Sequence, residues 1–261
     1  MEASELPPGA ITGAVLLYSR PEPLTPELHN KLGVKRMDNP FAFAADQHLL
    51  PLTVTEFQPA ALNYPIIFVG DEQTPVAVMG LKEGENLFLS KTGVHDAEYY
   101  MPAYVRRYPF VFANDQTSDR MILCIDRGAS VLDENGGDVA LFDGNEPSEF
   151  TKGAMEFCRE FESERRRTED FIKLLKDLDL FEVKQAMFTP RLPDGQAGEP
   201  QMLAEYFAVS EDKLSKLPLE KIQELFANGA LQQIYAHLMS LLNWERLLAR
   251  AVSRAPVAAN A

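Results

Sequence analysis

The sequence is poor in the residues and motifs with which many enzymes hold cofactors. It has two cysteines, four histidines and one tryptophan among 261 residues. The glycine-rich loops that bind nucleotide phosphates are missing, and so is the Gly-x-Ser-x-Gly turn of serine hydrolases. We therefore predict no cofactor and no catalytic residue, and the chain is more typical of a non-enzyme than of an enzyme.

The two cysteines do not form a familiar motif. Cys124 lies in an apolar, strand-like run and Cys158 lies on a predicted helix. Their spacing matches neither a redox pair nor a zinc knuckle. This favours two buried, reduced thiols over a disulfide or a reactive site.

Positive charge is also scarce, with 25 lysines and arginines against 39 acidic residues and a formal net charge of -14. Such a field repels phosphate backbones and anionic lipid surfaces, so we predict no nucleic-acid partner. No run approaches the roughly 18 apolar residues of a membrane-spanning helix, which predicts no membrane insertion. The acidic start, Met1–Glu5, lacks the basic and apolar segments of a secretory signal. The expected location is the cytoplasm.

The histidines give little support for a metal site, because they are scattered and no two have ligand spacing. The nearest approach to a metal cluster is His95-Asp96-Ala97-Glu98, which would need a distant histidine to complete it. We interpret this segment as a polar loop and predict no metal, with metal binding by His95 and Asp96 as the alternative. His237, on the apolar side of the last helix, is expected to be a hydrogen-bonded core or boundary residue.

One block of sequence occurs twice. Residues 59–71 read PAALNYPIIFVGD, and residues 102–115 repeat the pattern as PAYVRRYPFVFAND, with one extra residue before the tyrosine. The likeness continues to Leu87-Phe88 and Leu141-Phe142. Such self-similarity predicts a repeated supersecondary unit whose copies bury apolar faces against each other.

Each copy predicts a short helical turn, a Tyr-Pro step and several strands. The proline suits a strand entry, where its missing N–H is tolerated. Many short strands joined by polar turns favour a barrel or a strongly bent antiparallel sheet. The strands predicted in and before the copies are Ile11–Tyr18, Leu52–Phe57, 66–69, Val76–Leu81, Asn86–Ser90, Phe110–Ala113, Met121–Ile125 and Val139–Phe142.

The chain becomes mainly helical after Pro147. Ser148 is a predicted N-cap, and apolar residues then recur every three or four positions to Leu178, which predicts one long helix or a broken pair. The charged stretch Glu162–Arg167 is interpreted as solvated and ion-paired, with an arginine-rich anion site as the alternative. A hairpin at 181–209 follows, with Phe181, Val183 and Met187 on one side of its first strand and Leu203, Phe207 and Val209 on one side of its second. Further helices complete the chain.

The predicted fold class is therefore α+β, with duplicated antiparallel β units in a barrel-like or strongly bent sheet, followed by a mostly helical region that contains a β-hairpin. We divide the chain into a β-rich region at 1–146 and a helical region at 147–252, packed together as one compact unit. The repeat copies occupy about 59–90 and 102–143. Residues 253–261 have nothing to bury and predict a flexible tail.

Four segments, Asn63–Phe68, Met101–Phe110, Leu123–Asp126 and Gly229–Leu241, resemble the SapC-like family of bacterial proteins. The most specific element is Pro-Ala-Tyr-x-Arg-Arg-Tyr-Pro-Phe, and the resemblance runs from about residue 51 to about residue 248. It implies an association with surface-layer formation and secretion, and with TonB-dependent receptors, cupin-like hydroxylases and flavin-dependent halogenase-like proteins. It implies no catalytic residue.

The adjacent Arg106 and Arg107, flanked by Tyr104 and Tyr108, are the best candidates for a ligand-binding site. A guanidinium group offers a planar fork of donors and a tyrosine ring offers a flat amphipathic face, which together suit a carboxylate, a glycan or a peptide. Asp126 joins this candidate set, because it follows a strand and is expected to form a structural ion pair with Arg106 or Arg107.

The leading hypothesis is a non-catalytic protein that binds a peptide or protein partner, or acts as an adaptor, in a surface-layer, nutrient-uptake or protein-modification pathway. One alternative is an enzyme or enzyme subunit that acts on peptides beside an oxygenase or halogenase-like protein, using a polar cluster of His95, Asp96, Arg106, Arg107 and Asp126. Another alternative is a saccharide-binding protein, because arginines and aromatic rings often line sugar grooves.

Overall fold

The computed structural model describes residues 15–114, 120–189 and 196–254. The helices in this part of the chain are α1 (Pro26–His29), α2 (Phe57–Ala61), α3 (Ala103–Arg106), α4 (Glu149–Asp177), α5 (Glu211–Ser215), α6 (Leu219–Ala227), α7 (Ala230–Ser240) and α8 (Asn243–Arg254). Short 3₁₀ turns occur at Ala42–Ala44 and Val54–Glu56. None of these helices has the length and apolarity that crossing a membrane requires.

The strands form several antiparallel sheets. In the described residues they are β1 (Pro21–Pro23), β2 (Gly33–Val34), β3 (Leu49–Pro51), β4 (Ile66–Val69), β5 (Thr74–Val78), β6 (Phe110–Asn114), β7 (Met121–Asp126), β8 (Leu132–Asp133), β9 (Val139–Ala140), β10 (Phe142–Asp143), β11 (Glu146–Pro147), β12 (Phe181–Phe188) and β13 (Gln201–Val209).

The largest sheet has the order β12-β13-β4-β5-β3, and a three-stranded sheet has the order β1-β7-β6. A second three-stranded sheet is ordered β8-β2-β9, and β10 pairs with β11. The mixed composition, the antiparallel pairing and the helical C-terminal region confirm the predicted α+β class. The barrel-like arrangement is not found, because the strands within the described ranges form open sheets.

Both copies of the repeated block fold as a helix followed by a β-hairpin. The first copy comprises α2, Tyr64-Pro65, β4 and β5, and the second comprises α3, Tyr108-Pro109, β6 and β7. The helix–hairpin unit thus occurs twice, but the two hairpins do not bury their apolar faces against each other as predicted. The two hairpins belong to different sheets and contribute to different hydrophobic clusters, a large one around β4 and β5 and a smaller one around β6, β7 and Cys158. The first copy pairs with β13 and the second with β1, so each hairpin builds a core of its own.

Some strands predicted before and after the first hairpin are not formed. At Leu52–Phe57 the carboxylate of Glu56 accepts hydrogen bonds from the Thr53 N–H (2.8 Å) and hydroxyl (2.9 Å), which begins the 3₁₀ turn that leads into α2. Of Ile11–Tyr18, residues 15–18 form a turn and the remainder lies outside the described residues. Segment 86–90 contributes only an isolated bridge between Leu89 and His95.

Helix α4 is one continuous helix of 29 residues, rather than a broken pair. The Ser148 hydroxyl caps it by accepting a hydrogen bond from the Thr151 N–H, as predicted. The charged stretch in its middle forms ion pairs, including one of 2.7 Å between Arg165 and Glu162. The helix packs on β6 and on the 3₁₀ turn before α2, so it contacts both halves of the repeat region.

The predicted hairpin at 181–209 is present as β12 and β13. Of the apolar side chains predicted to share a side, Val209 is fully buried and Phe181, Leu203 and Phe207 pack against the large hydrophobic cluster, so part of that side is buried. Val183 and Met187 are exposed, whereas Ala186, Tyr206 and Ala208 are buried. The C-terminal helices cover the latter face, since the Trp244 indole N–H donates to the Tyr206 hydroxyl at 3.2 Å. The predicted turn Leu192–Gly195 lies outside the described residues.

Polar side chains of α7 hold the C-terminal helices against the first copy. The Nδ1 atom of the fully buried His237 lies 2.9 Å from the Ile66 carbonyl, and the Val209 N–H donates to its Nε2 atom at 3.0 Å. The Ser240 hydroxyl accepts the Ile66 N–H at 2.9 Å. These contacts confirm His237 as a hydrogen-bonded core residue, and they join α7, β4 and β13.

The cysteines agree with the sequence-based prediction and the C-terminal residues do so only in part. Cys124 and Cys158 are buried free thiols, as predicted, and burial raises the pKa of each thiol to about 11. The predicted flexible tail begins too early, because Ser253 and Arg254 belong to α8. The rest of that tail, 255–261, lies outside the described residues.

Candidate ligand-binding site

Two clefts border the residues that the sequence singles out. We name the first the arginine–aromatic cleft; its volume is about 860 Å³, and its walls include Arg36, Phe43, Arg106, Tyr108, Phe150 and Phe157. We name the second the α4 cleft; its volume is about 880 Å³, and its walls include Pro51, Tyr104, Arg107, Phe112, Glu162 and Lys173. Both volumes fall in the range of ligand-binding sites.

The predicted site residues are divided between these clefts. Arg106 and Tyr108 line the arginine–aromatic cleft, Tyr104 lines the α4 cleft, and Arg107 borders both. Asp126 lines neither. The sequence therefore groups residues that the structure distributes between two clefts and a buried turn.

Asp126 is a structural residue that closes a turn. Its fully buried carboxylate accepts the backbone N–H groups of Ser19 (3.0 Å), Arg20 (2.7 Å) and Gly128 (3.0 Å) and the Tyr108 hydroxyl (3.1 Å). Burial alone would raise its pKa, but the three backbone hydrogen bonds outweigh burial and hold the pKa below its usual range. The predicted ion pair with Arg106 or Arg107 is wrong, because backbone donors fill the carboxylate and neither arginine pairs with it.

Tyr108 is held in place on both sides. Its ring stacks on Phe43 with centroids 3.9 Å apart and meets Tyr18 edge-on at 5.3 Å. Burial, together with the neighbouring Asp126 carboxylate, raises the pKa of its hydroxyl. The hydroxyl is thus a fixed donor to Asp126, and the stacked ring pair presents a flat surface in the wall of the arginine–aromatic cleft.

Arg107 is a buried cation between two aromatic rings. Its guanidinium carbon lies 4.3 Å from the ring centroids of both Tyr104 and Phe161, and its side chain is only 6% exposed. It pairs with Glu162 of α4 at 3.6 Å, and its Nε atom is buried without a hydrogen-bond partner. Burial raises the pKa of the Tyr104 hydroxyl, and the neighbouring guanidinium opposes that rise. Arg107 therefore packs the second copy onto α4 and supplies charge at the junction of the two clefts.

Arg106 is exposed and differs from its neighbour. Its Nε donates to the Met101 carbonyl at 3.0 Å, one terminal nitrogen donates to the Tyr100 hydroxyl at 3.1 Å, and its guanidinium carbon lies 5.2 Å from the Phe157 ring centroid. These contacts fix its direction without neutralising its charge. No carboxylate among the described residues pairs with the side chain of Arg106 or of Arg36 across the cleft lining.

The arginine–aromatic cleft is cationic on an acidic protein. Its lining has four basic side chains, Lys35, Arg36, Arg106 and Arg107, against one carboxylate, Glu149. Lys35 pairs with Asp133 and Arg107 with Glu162, which leaves two arginines with unpaired charge. Aromatic rings fill much of the remaining wall, and one of them, Phe150, is 42% exposed. The cleft can therefore hold an anion with attached apolar groups.

The His95 side chain packs against an aromatic ring. The His95 ring meets Phe41 edge-on with centroids 5.7 Å apart, and burial lowers its pKa. Over 15–114, 120–189 and 196–254, no three histidine, cysteine or acidic side chains come together as a metal site. The His95 Nε2 atom is buried without a hydrogen-bond partner among the described residues, so it makes no hydrogen bond to Asp126 or to the arginines.

Several residues of the clefts could not be read from the sequence. Arg36 and Phe43 lie 72 and 65 positions before Tyr108 along the chain, and Phe157 and Glu162 belong to α4. The only signal available for them was the apolar spacing of α4, which places Phe157 and Phe161 on its buried side. Phe157 and Glu162 reach the second copy because α4 packs on β6, and this packing cannot be predicted from local spacing.

These features define an α+β protein with a duplicated helix–hairpin unit, a long connecting helix and two clefts beside the second copy. The family model of SapC matches residues 24–247, and the chain belongs to the SapC family. The matched range includes both copies of the repeat and α4 to α7, so the resemblance carried by the Tyr-Pro segments is confirmed. No curated protein and no solved structure matches the chain.

Proposed function

We propose that this protein is a non-catalytic binding protein that takes an acidic, apolar peptide segment of a partner protein into the arginine–aromatic cleft. The observation that carries the proposal is the unpaired charge of Arg36 and Arg106 in an aromatic-lined cleft of a chain whose net charge is -14. Where the rest of the surface repels anions, this cleft attracts them. The expected ligand combines carboxylates with aromatic or aliphatic side chains.

The lining of the arginine–aromatic cleft suits both the carboxylates and the apolar side chains of such a ligand. Arg106 is oriented by Met101 and Tyr100, so its fork is preorganised for a carboxylate. The stacked rings of Phe43 and Tyr108 offer a flat apolar surface in the same cleft. A peptide is favoured over a small anion because the volume of about 860 Å³ exceeds what one carboxylate group needs.

The family resemblance supports an adaptor role in a surface-layer, nutrient-uptake or protein-modification pathway. The enzyme alternative loses its proposed polar cluster, since Asp126 is committed to backbone donors and His95 packs on Phe41. The saccharide alternative shares the aromatic and arginine lining, but it does not account for two unpaired positive charges. Saccharides therefore serve as a comparison ligand in the test.

The first prediction concerns the two unpaired arginines. A library of short displayed peptides is selected on the wild-type protein, and the enriched peptides are measured by calorimetry. We expect sequences rich in Asp, Glu and aromatic residues, whose affinity falls as salt concentration rises. In the variant with Arg36→Gln and Arg106→Gln, the affinity should fall by at least about tenfold, because two charge-assisted hydrogen bonds are lost.

Arg166→Gln is the matched control, because Arg166 is an exposed arginine of α4 that borders neither cleft. Its affinity for the same peptides should equal that of the wild type. Enrichment of basic peptides, or equal binding by the double variant and the control, contradicts the proposed site. Tighter binding of cell-envelope saccharides than of any peptide would favour the saccharide alternative, and turnover of the bound peptide would favour an enzyme.

A further inference from the structure

Strand β6 has an unpaired edge that borders the α4 cleft. Within the described strands it pairs only with β7, which leaves its other side open. Phe112 and Asn114 of β6 line the α4 cleft, and Asn114 is exposed. The edge of the second hairpin is thus part of a concave site rather than of a flat surface.

The phase of the hydrogen bonds shows which groups point outward. The Asp126 N–H donates to the Pro109 carbonyl at 2.9 Å, so hydrogen-bonded pairs alternate from that point along β6 and β7. Phe110 then points outward, and its outward groups are both used: its N–H donates to the Arg107 carbonyl at 2.8 Å, and its carbonyl accepts the Tyr18 hydroxyl at 2.6 Å. Because the pattern repeats every two residues, the backbone N–H and C=O groups of Phe112 and Asn114 also point outward.

The outward N–H and C=O groups of Phe112 and Asn114 therefore face the cleft as donors and acceptors at the spacing of a β-ladder. No backbone or side-chain partner reaches them from the described part of the chain. By contrast, the open edge of β3, which also borders the α4 cleft, ends in Pro51 and Pro51 has no N–H to offer. Of these two edges in the described part of the chain, the β6 edge is the one that can pair with an added strand at the cleft.

The opposite wall of the α4 cleft is charged but self-neutralised. Glu162 serves Arg107 and Arg165, Lys173 pairs with Asp177 at 2.5 Å, and Lys176 lies 3.8 Å from Glu72. Because each of these charged side chains has a partner of opposite sign, this wall has no surplus charge to attract a ligand. Since Val111, Pro75 and Ile172 supply apolar lining, the cleft favours an uncharged segment.

We infer that the α4 cleft is a second peptide site, separate from the arginine–aromatic cleft, which binds an extended uncharged segment of a partner protein as an added strand on β6. The backbone of that segment pairs with Phe112 and Asn114. Its alternate side chains pack on the apolar lining of the cleft. The occupant differs from the acidic ligand of the first cleft in both charge and conformation.

The second prediction compares Asn114→Pro with Asn114→Ala. Proline removes the outward N–H and places its ring at the edge, but the ladder to β7 does not use that N–H, so the fold should persist. Short uncharged peptides are selected on the wild type from a displayed library, and their affinities are measured. We expect Asn114→Pro to weaken binding by at least about tenfold and Asn114→Ala to leave it within about twofold.

Amide hydrogen exchange gives a second readout. The bound peptide should slow exchange at the Phe112 and Asn114 amides of the wild type, whereas an acidic peptide in the arginine–aromatic cleft should not. Asn114→Pro should still bind that acidic peptide with wild-type affinity, which also shows that the variant is folded. Equal binding of the uncharged peptides to both variants, no enrichment of any uncharged peptide, or unchanged exchange at both amides would overturn the inference.

Discussion

At the residue scale, His237 shows how a single buried side chain fixes three elements. Its ring lies between the Ile66 carbonyl of β4 and the Val209 N–H of β13, so Nδ1 carries the proton and Nε2 accepts. A protonated ring would turn Nε2 into a donor that faces another donor. Burial accordingly lowers the pKa of His237 to about 4, with the Ile66 hydrogen bond opposing the shift.

The third prediction is a loss of stability in mild acid that depends on His237. Since its pKa falls from 6.5 in the unfolded chain to about 4 in the folded protein, the unfolded state binds more protons between these values. The neutral ring therefore contributes to the free energy of unfolding. This contribution is fully present above pH 6.5 and is lost as the pH falls towards 4. It amounts to about 3 kcal/mol. Urea unfolding across this window measures it.

His237→Gln should be less stable than the wild type at about pH 7 and should show a weaker dependence on pH. His48→Gln, at a partly exposed histidine, is the matched control for the loss of an imidazole ring. Parallel pH profiles for wild type and His237→Gln would refute the assignment of the protonation state.

Residue by residue, the sequence identified features that depend on local spacing. The buried position of His237 follows from its place on the apolar side of a helix, and Ser148 follows from the pattern of a helix start. The partners of Asp126 could not be predicted, because Ser19 and Arg20 lie more than 100 positions away. The same holds for Arg107, whose carboxylate partner is supplied by a different helix.

At the scale of elements, α4 is attached to the second copy through a buried ion pair. The side chains of Arg107 and Glu162 are 6% and 12% exposed, and Glu162 also pairs with Arg165. Removing the carboxylate leaves the guanidinium of Arg107 buried between aromatic rings with no counter-charge. Such a loss costs far more than the loss of an exposed pair.

The fourth prediction is that Glu162→Gln lowers the free energy of unfolding by roughly 2 to 4 kcal/mol at neutral pH. Glu169→Gln is the matched control: it is on the same helix, also pairs with Arg165, and is 59% exposed, so its cost should be below about 1 kcal/mol. Urea unfolding followed by circular dichroism gives both values. Equal costs for the two variants would show that Glu162 is screened by solvent.

Elements with a strong period were predictable and short ones were less so. The long apolar stripe of α4 and the two Tyr-Pro hairpins match the structure closely. At Leu52–Phe57 the alternation of side chains suggested a strand, but the capping box of Thr53 and Glu56 competes with it and prevails. In the hairpin of β12 and β13 the alternation identified side chains that share a side but not how deeply each is buried, because that depends on packing against other elements: Val209 is buried, whereas Val183 and Met187 are exposed.

At the scale of the whole molecule, the predicted division at 146/147 is crossed by the main sheet. Strand β13, from the second region, pairs with β4 of the first copy, and α4 packs on β6. We propose that the two regions form one cooperative unit. The large and small hydrophobic clusters would then lose their packing together.

The fifth prediction tests this with two probes that report on different clusters. Trp244 packs on Tyr206 and reports on the large core, whereas the thiol of Cys158 lies in the smaller cluster. In a urea titration, the change in tryptophan fluorescence and the onset of thiol reactivity should have the same midpoint. Thiol exposure at a lower urea concentration than the fluorescence change would show two separate units.

The tyrosines of the two Tyr-Pro steps make different contacts. The Tyr64 hydroxyl donates to the Tyr100 carbonyl inside the large core, whereas the Tyr108 hydroxyl donates to a carboxylate beside a cleft. The first Tyr-Pro step is enclosed by the packing of the large core, whereas the second is packed on one side and forms part of a cleft wall on the other. A substitution beside Tyr108 therefore changes the wall of a cleft, whereas the equivalent substitution beside Tyr64 perturbs the large core.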